Sequence, residues 1–206
     1  MLTLILVRHG HSECNIEGLI QGQLDAPLSG LGIRQAQAVS ERLAHEPLAA
    51  VYSSDLKRAL ATAEAVAHPH GLPVQATPLI RECGLGVAEG MTAEQFRQAY
   101  PEQERLWRQD PFTNRPPGAE RFQDVIERCG RFLQMVRARH PDGSAIAAAV
   151  HVGSVSGLIC AALDLPVRAY TGFFISNASI SVLELGETNR LVRLNDVAHL
   201  DGLTTP

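Results

Sequence analysis

The chain has 206 residues, of which 45% are hydrophobic and 19% charged, and its net charge is −4. This is enough apolar sequence for one well-buried α/β core and too much for a disordered chain, so we read residues 1–206 as a single domain. The acidic balance argues against a broad attraction for nucleic acid or an anionic membrane, so any anion must be held by a local cluster.

The first element in chain order is a buried strand over Leu2–Val7, which has no basic region before it and meets Arg8 and His9 at once. It reads as a strand, not a signal peptide, and a cytoplasmic location is expected. After Ser29 the spacing places Ile33, Ala36, Val39 and Leu43 on one helical face, ending near Pro47. A strand over Ala49–Ser53 follows, then a helix with Leu56, Leu60, Ala63 and Ala67 inward, closed by His70 and Gly71. Residues 91–117 read as a helical insertion over the site, opened by a possible capping box at Thr92-Ala-Glu-Gln95. The clearest helix is Phe122–Val136, with Phe122, Val125, Ile126, Cys129, Phe132, Leu133 and Val136 as its apolar stripe. It feeds a strand over Ala145–Val150, a short helix over Ser154–Leu163 and two strands near Ile180–Leu185 and Leu191–Val197, joined by a turn with Gly186 and Asn189. The alternation predicts an α/β fold with a largely parallel sheet covered by helices. The apolar stretches around residues 144–163 are broken by His151 and Gly153 and fall short of a membrane span.

Cys14, Cys83, Cys129 and Cys160 are far apart, without zinc or redox spacing, and are expected to be reduced thiols. His68 and His70 flank a proline with no acidic or thiol cluster near them, so no metal site is assigned.

Arg8, His9 and Gly10 directly follow the first strand, and ligands in open α/β sheets bind beyond the carboxyl ends of strands. A histidine beside an arginine, with a glycine that lets the backbone approach, suits attack on phosphorus while a guanidinium holds the phosphate oxygens. The strings LVRHGHSECN, GLIQGQLDAPLSGLGIRQA, SSDLKRALATAE, IRECGLGVAEG and AAVHVGS occur in order. Together they resemble the histidine phosphatase superfamily, the phosphoglycerate-mutase-like proteins, over nearly the whole chain.

The resemblance implies a three-layer α/β/α sandwich with a mixed, mainly parallel sheet. It also implies a phosphorylated histidine at His9, phosphate-binding arginines at Arg8 and Arg58, a proton donor at Glu82 and a second pocket histidine at His151. Asn15, Gln21 and Gly22 match positions that line the same pocket. The chemistry suits these residue types, because phosphoryl transfer asks mainly for positioning and charge stabilisation, and a poor leaving alkoxide must gain a proton. Arg58 falls near the start of a predicted helix, where free backbone N–H groups also favour an anion. Burial among the neighbours Cys83–Ala88 is expected to keep Glu82 protonated.

Two departures from the family pattern stand out: Val152 follows His151 where relatives usually have glycine, and Ala88 stands where an aromatic residue is common. His11 reads as a rim residue, while Trp107, Phe112, Arg115 and Arg121 either set specificity or pack the insertion onto the core. The implied activity is hydrolysis of a small phosphorylated metabolite, with no cofactor or metal required. The alternatives are a cofactor-dependent phosphoglycerate mutase and a non-catalytic binding module of the same fold. Neither substrate identity nor oligomeric state is legible in the residues.

Overall fold

In β1 (Leu2–Arg8), Leu2, Leu4 and Leu6 face one side of the sheet while Ile5 and Val7 face the other. A strand this continuously apolar needs a layer of helices on both faces, and the computed structural model, which describes residues 1–204, has both. The first face packs on α6 (Phe122–Arg139) and α7 (Val152–Leu163) together with Ile146, Ala148 and Val150 of β4 (Ala145–Val150). The second packs on α2 (Gly30–Leu43) and α3 (Lys57–Ala67), with Ala147 and Ala149 of β4 between them. Leu4 and Leu6 are fully buried, and each such side chain contributes about 1.5–3 kcal/mol.

The remaining strands are β2 (Leu48–Ser54), β3 (Val74–Thr77), β5 (Ile180–Leu185) and β6 (Arg190–Asp196), and the sheet order is β3-β2-β4-β1-β5-β6. The β3-β2, β2-β4 and β4-β1 pairs are parallel, whereas β1-β5 and β5-β6 are antiparallel. This is the expected three-layer sandwich with a mixed, mainly parallel sheet.

Several local expectations are corrected. Ile33 is 61% exposed, and α2 instead buries Gly32, Gln35, Ala36, Val39, Ser40 and Leu43. The cause is backbone contact: a Cβ on Gly32 would stand 1.9 Å from the carbonyl oxygen of His11, so α2 must turn its bare Gly32 inward. In α3 the buried positions are Arg58, Ala59, Thr62, Ala63, Val66 and Ala67, leaving Leu60 half-buried, because the arginine takes part of the inward face. The edge strand β3 and the one-turn α1 (Glu13–Ile16) are missing from the sequence reading. Each has four residues, and β3 lies between Pro73 and Pro78 with no residue fully buried.

The insertion is two short helices, α4 (Ala93–Ala99) and α5 (Pro101–Gln109), with the Thr92/Gln95 capping box formed as expected. Phe96 fastens it, nearly fully buried against Tyr100 and Trp107. Among the described residues no helix is long and apolar enough to cross a membrane.

Candidate active site

The strand register creates the site. β1 and β4 are parallel neighbours with Arg8 opposite Val150, so the next residue of each, His9 and His151, emerge side by side with ring centroids 5.0 Å apart. His9 is anchored through its backbone, its N–H donating to Val150 O and its carbonyl accepting from Ala178 N and Asn177 Nδ2. Its Nδ1 lies 2.7 Å from the carbonyl oxygen of Gly10. A carbonyl only accepts, so Nδ1 carries the proton and Nε2 keeps its lone pair. Burial first, then the charges of Arg58 and Arg8, hold the imidazole pKa well below 6.5 and keep the ring neutral. Gly10 permits this arrangement, since a Cβ there would meet Gly32 O at 2.5 Å.

Arg58, the second residue of α3, is buried and aims Nε at His9 Nε2 from 3.3 Å. Its other nitrogens tie down the preceding loop, Nη1 donating to Leu24 O at 2.6 Å and Nη2 to Gly22 O at 2.8 Å. The helix terminus itself is not an open anion site, contrary to expectation, because Lys57 N donates to Asp25 Oδ1 at 2.7 Å. Arg8 Nη1 donates to Ile175 O at 2.6 Å. Burial lowers the Arg8 pKa to about 10, with Glu82 opposing and Arg58 assisting, so the group stays charged near neutrality. Three buried nitrogens at this end have no protein partner: Arg8 Nε and both ring nitrogens of His151. His151 is completely buried, and burial above all keeps it neutral.

The Glu82 side chain accepts at Oε1 from Cys83 N at 2.7 Å and from Gly153 N at 3.0 Å. Burial raises its pKa as expected; the Cys83 hydrogen bond and the Arg58 and Arg8 charges work in the opposite direction. Here the departure at Val152 finds its explanation. Val152 opens α7 and lines the cavity, while the close approach falls on Gly153, where a Cβ would lie 2.2 Å from Glu82 Oε1.

Behind Glu82 lies a pair that the sequence reading missed, a buried Arg128 and a half-buried Glu120. Arg128 Nε and Nη2 bind the Glu120 carboxylate at 2.8 and 3.0 Å, while Nη1 and Nη2 donate to the carbonyls of Leu79 and Glu82. Glu120 completes the clamp by accepting from Gly84 N. The descending limb of the insertion is stitched to the same loop, through Glu120 N to Gly84 O and Val87 N to Pro117 O. A charged residue falling between Val125 and Phe132 of the apolar stripe was the available signal.

A cavity of about 400 Å³ is lined by Arg8, His9, Arg58 and Glu82, with His151, Arg128 and Glu120 outside its lining. Gln21 and Gly22 line it as expected, Gln21 steadied by Ser12 Oγ–H at 2.9 Å. Asn15 does not: its side-chain oxygen accepts from Ser12 N, capping α1. The far wall is apolar and aromatic, with Trp107, Phe122, Tyr170 and Phe173, and the Arg115 guanidinium lies 4.1 Å over the Phe122 ring. Of the insertion candidates, Trp107 and Arg115 therefore face the cavity, Phe112 packs on Phe122, and Arg121 pairs with Asp124 on the surface. Tyr170 and Phe173 carried no motif that sequence reasoning could seize. His11 is held by Ser29 Oγ at 3.0 Å beside the pocket. All four cysteines are free and buried, and burial pushes the Cys83 thiol up to about 12, leaving it protonated beside Glu82. Among the described residues no group of three or more His, Cys, Asp or Glu is placed to hold a metal ion.

The family model described as histidine phosphatase superfamily (branch 1) matches residues 4–197. The chain belongs to the histidine phosphatase superfamily. It is 36% identical over 201 residues to phosphoserine phosphatase 1 of Hydrogenobacter thermophilus, covering 97% of this chain and 95% of that one. Among solved structures, Bacillus stearothermophilus YhfR superposes with a TM-score of 0.89 at 32% identity, covering 97% of this chain and 100% of the other. A mycobacterial glucosyl-3-phosphoglycerate phosphatase, solved as a complex with VO3, superposes with a TM-score of 0.85 at 33% identity, covering 94% and 98%. With phosphatases among its full-length relatives, this histidine phosphatase is a phosphoric monoester hydrolase for small phosphorylated compounds.

Proposed function

We propose that the chain works as one domain that hydrolyses a small phosphorylated metabolite in two steps through a phosphohistidine on His9. The observation that carries this reading is the trio of buried, unpartnered nitrogens on Arg8 and His151 beside a neutral His9 whose proton is fixed on Nδ1. Buried polar groups without partners are rare in folded proteins, and a phosphoryl group supplies acceptors to the Arg8 Nε–H and to the one ring N–H of a neutral His151. In the first step His9 Nε2 attacks phosphorus while Arg8 and Arg58 balance the charge on the equatorial oxygens; a neutral His151 donates from one ring nitrogen. Glu82 gives its proton to the departing alkoxide. In the second step the resulting carboxylate takes a proton from water as the oxygen attacks phosphorus, and the P–N bond electrons return to Nε2.

Net hydrolysis is favoured over mutase chemistry because a mutase must shield its phosphohistidine from water while the intermediate reorients. The cover here is only α4, α5 and their flanking loops. Arg115 in the apolar wall offers a partner to a leaving group that carries a carboxylate. Phosphate release should be screened across O-phosphoserine, 3-phosphoglycerate, sugar phosphates and nucleotide precursors, with rapid acid-free quench to trap the phosphoenzyme. The expected result is an acid-labile adduct on the wild type and none on His9→Ala. Unimpaired turnover by His9→Ala would sink the mechanism. Rapid isomerisation of 3-phosphoglycerate in the presence of catalytic bisphosphate, with little phosphate released, would replace hydrolysis by mutase action.

A further inference from the structure

Gln35 lies on the inward face of α2, fully buried, and has no part in the two steps described above. Its side chain joins two backbone segments: Oε1 accepts from His11 N at 2.7 Å, and Nε2 donates to Leu203 O at 2.7 Å. An N–H only donates and a carbonyl only accepts, so these partners admit a single orientation of the amide. The first contact holds one planar peptide unit, with the Gly10 carbonyl at one end and the His11 N–H at the other. The carbonyl end faces His9 Nδ1 at 2.7 Å. Gln35 and the His9 ring therefore grip opposite ends of the same rigid plate. The peptide before it is fixed by Gly10 N donating to Thr62 Oγ1, and the peptide after it by Ser29 N donating to His11 O. Among the described residues the plate itself has no hydrogen-bond partners besides His9 and Gln35. Glycine is required at position 10, where a Cβ would meet Gly32 O at 2.5 Å, and glycine constrains the direction of its own carbonyl least.

We propose that Gln35 is a positioning residue for His9: it aims the Gly10 carbonyl at Nδ1, confines the imidazole proton to that nitrogen and so keeps the Nε2 lone pair free for phosphorus. The proposal rests on the reading of His9 as the nucleophile. Turning the plate over would present the His11 N–H to Nδ1, and a donor there selects the ring protonated at Nε2, which has no lone pair for the phosphoryl group. The same turn would bring the Gly10 carbonyl against Gln35 Oε1, oxygen to oxygen. The amide could follow only by turning over itself, and Leu203 O blocks that move because it would then face an oxygen too. Leu203 O thus sets the amide, the amide sets the peptide, and the peptide sets the tautomer.

Gln35→Met keeps the length of the side chain and removes both polar ends. Nitrogen NMR of histidine-labelled protein reads the His9 tautomer, and kcat/KM for p-nitrophenyl phosphate reads the steps through phosphorylation of His9. The expected result is a shift of the His9 ring from the Nδ1–H towards the Nε2–H form and a kcat/KM about ten- to a hundredfold lower, the scale of a misplaced reacting group. Inhibition by inorganic phosphate should stay within about threefold of wild type, because Arg8 and Arg58 still hold the anion. Gln35→Glu should restore both the tautomer and the rate, since burial keeps its carboxyl neutral, able to accept from His11 N and to donate to Leu203 O. Ser40→Ala removes a buried hydrogen bond from the same helix to Ala65 O and, as the control for lost stability, should leave both readouts unchanged. An unshifted Nδ1–H ring in Gln35→Met, an equal loss of kcat/KM in Ser40→Ala, or no recovery in Gln35→Glu would each overturn the proposal. If Gln35→Met does not fold, Gln35→Asn, one methylene shorter, withdraws the oxygen from His11 N and carries the same expectations. If no phosphohistidine is trapped on the wild type, it is the reading of His9 as nucleophile that fails, and the tautomer measurement still decides whether Gln35 sets the ring.

Discussion

Replacing Gly153 with alanine perturbs the acid site at a single atom. The new Cβ would stand 2.2 Å from Glu82 Oε1, 2.5 Å from Tyr170 Oη and 3.3 Å from Cys83 Cβ. Tyr170 is held by its stack on Phe122 and Cys83 by its backbone, so the flexible carboxylate is the group that yields. Rotating it away breaks the hydrogen bond from Gly153 N and weakens that from Cys83 N, and hydrogen bonds to a neutral carboxyl contribute about 0.5–1.5 kcal/mol each. The overpacking itself costs about 1–3 kcal/mol, which at about 2–4 °C per kcal/mol for a chain of this size leaves the protein folded at room temperature. The larger effect is kinetic, because displacing a positioned general acid costs about 10²–10⁴ in rate. The assay compares two esters. For an alkyl phosphate such as O-phosphoserine, kcat/KM should fall by about 10²–10⁴. For p-nitrophenyl phosphate, whose leaving phenolate hardly needs a proton, it should fall by less than about tenfold. Equal losses for both esters, or full activity towards O-phosphoserine in a folded variant, would refute the placement of the acid.

Acid should destabilise the fold: the folded-state pKa values of His9 and His151 lie well below 6.5, so the stability they confer is present above that value and lost as pH falls beneath it. The loss is up to about 1.4 kcal/mol per pH unit for each group, and urea unfolding that gives the same free energy at pH 6.5 and 5.5 would contradict it. Arg128→Met strands Glu120 and the carbonyls of Leu79 and Glu82; since Glu120 retains some solvent contact, a cost of about 3 kcal/mol and a Tm drop of about 6–12 °C are expected by calorimetry. An unchanged Tm would show that the clamp is not structural. Val152→Gly should alter kcat/KM only a few-fold, because the close approach to Glu82 falls on Gly153; a large gain would mean that the valine obstructs the pocket.

The parts legible in the sequence are those written as period and contiguity. Leu2–Val7 reads as a buried strand because every position but Thr3 is apolar, and His9, two residues beyond it, inherits its place from that strand. Glu82 and Arg58 were legible only through ordered motifs, since no periodicity distinguishes a buried arginine from a surface one. The face of α2 was misjudged at Ile33 because what rotates the helix is the absence of a side chain at Gly32, which a hydrophobicity pattern does not register. Asn15 was read as a pocket residue, but its amide is engaged with Ser12, a competition that depends on three-dimensional placement. Nothing local announces Tyr170, whereas Arg128 was signalled only by its charge within the apolar stripe of α6, and its bond to the Glu82 carbonyl is a tertiary contact that no pattern predicts.

The cavity has two owners. The groups proposed to face the phosphate come from strand ends and from α3, whereas Trp107 and Arg115 come from the segment between β3 and α6. The groups that grip the phosphoryl moiety grip free phosphate equally, so product retention and catalysis are bound together, and discrimination among substrates has to arise on the other wall. Selectivity is thus partly separable from reactivity along the chain: exchanging residues 93–114 for the equivalent stretch of a relative should alter the share of substrate preference that Trp107 sets without retuning the chemistry, while Arg115, Phe122, Tyr170 and Phe173 stay in place. The graft has a natural boundary, because residues 115–120 are sewn to the Glu82 loop through Pro117, Glu120 and Arg115. A chimera that crosses that seam would change the acid along with the preference.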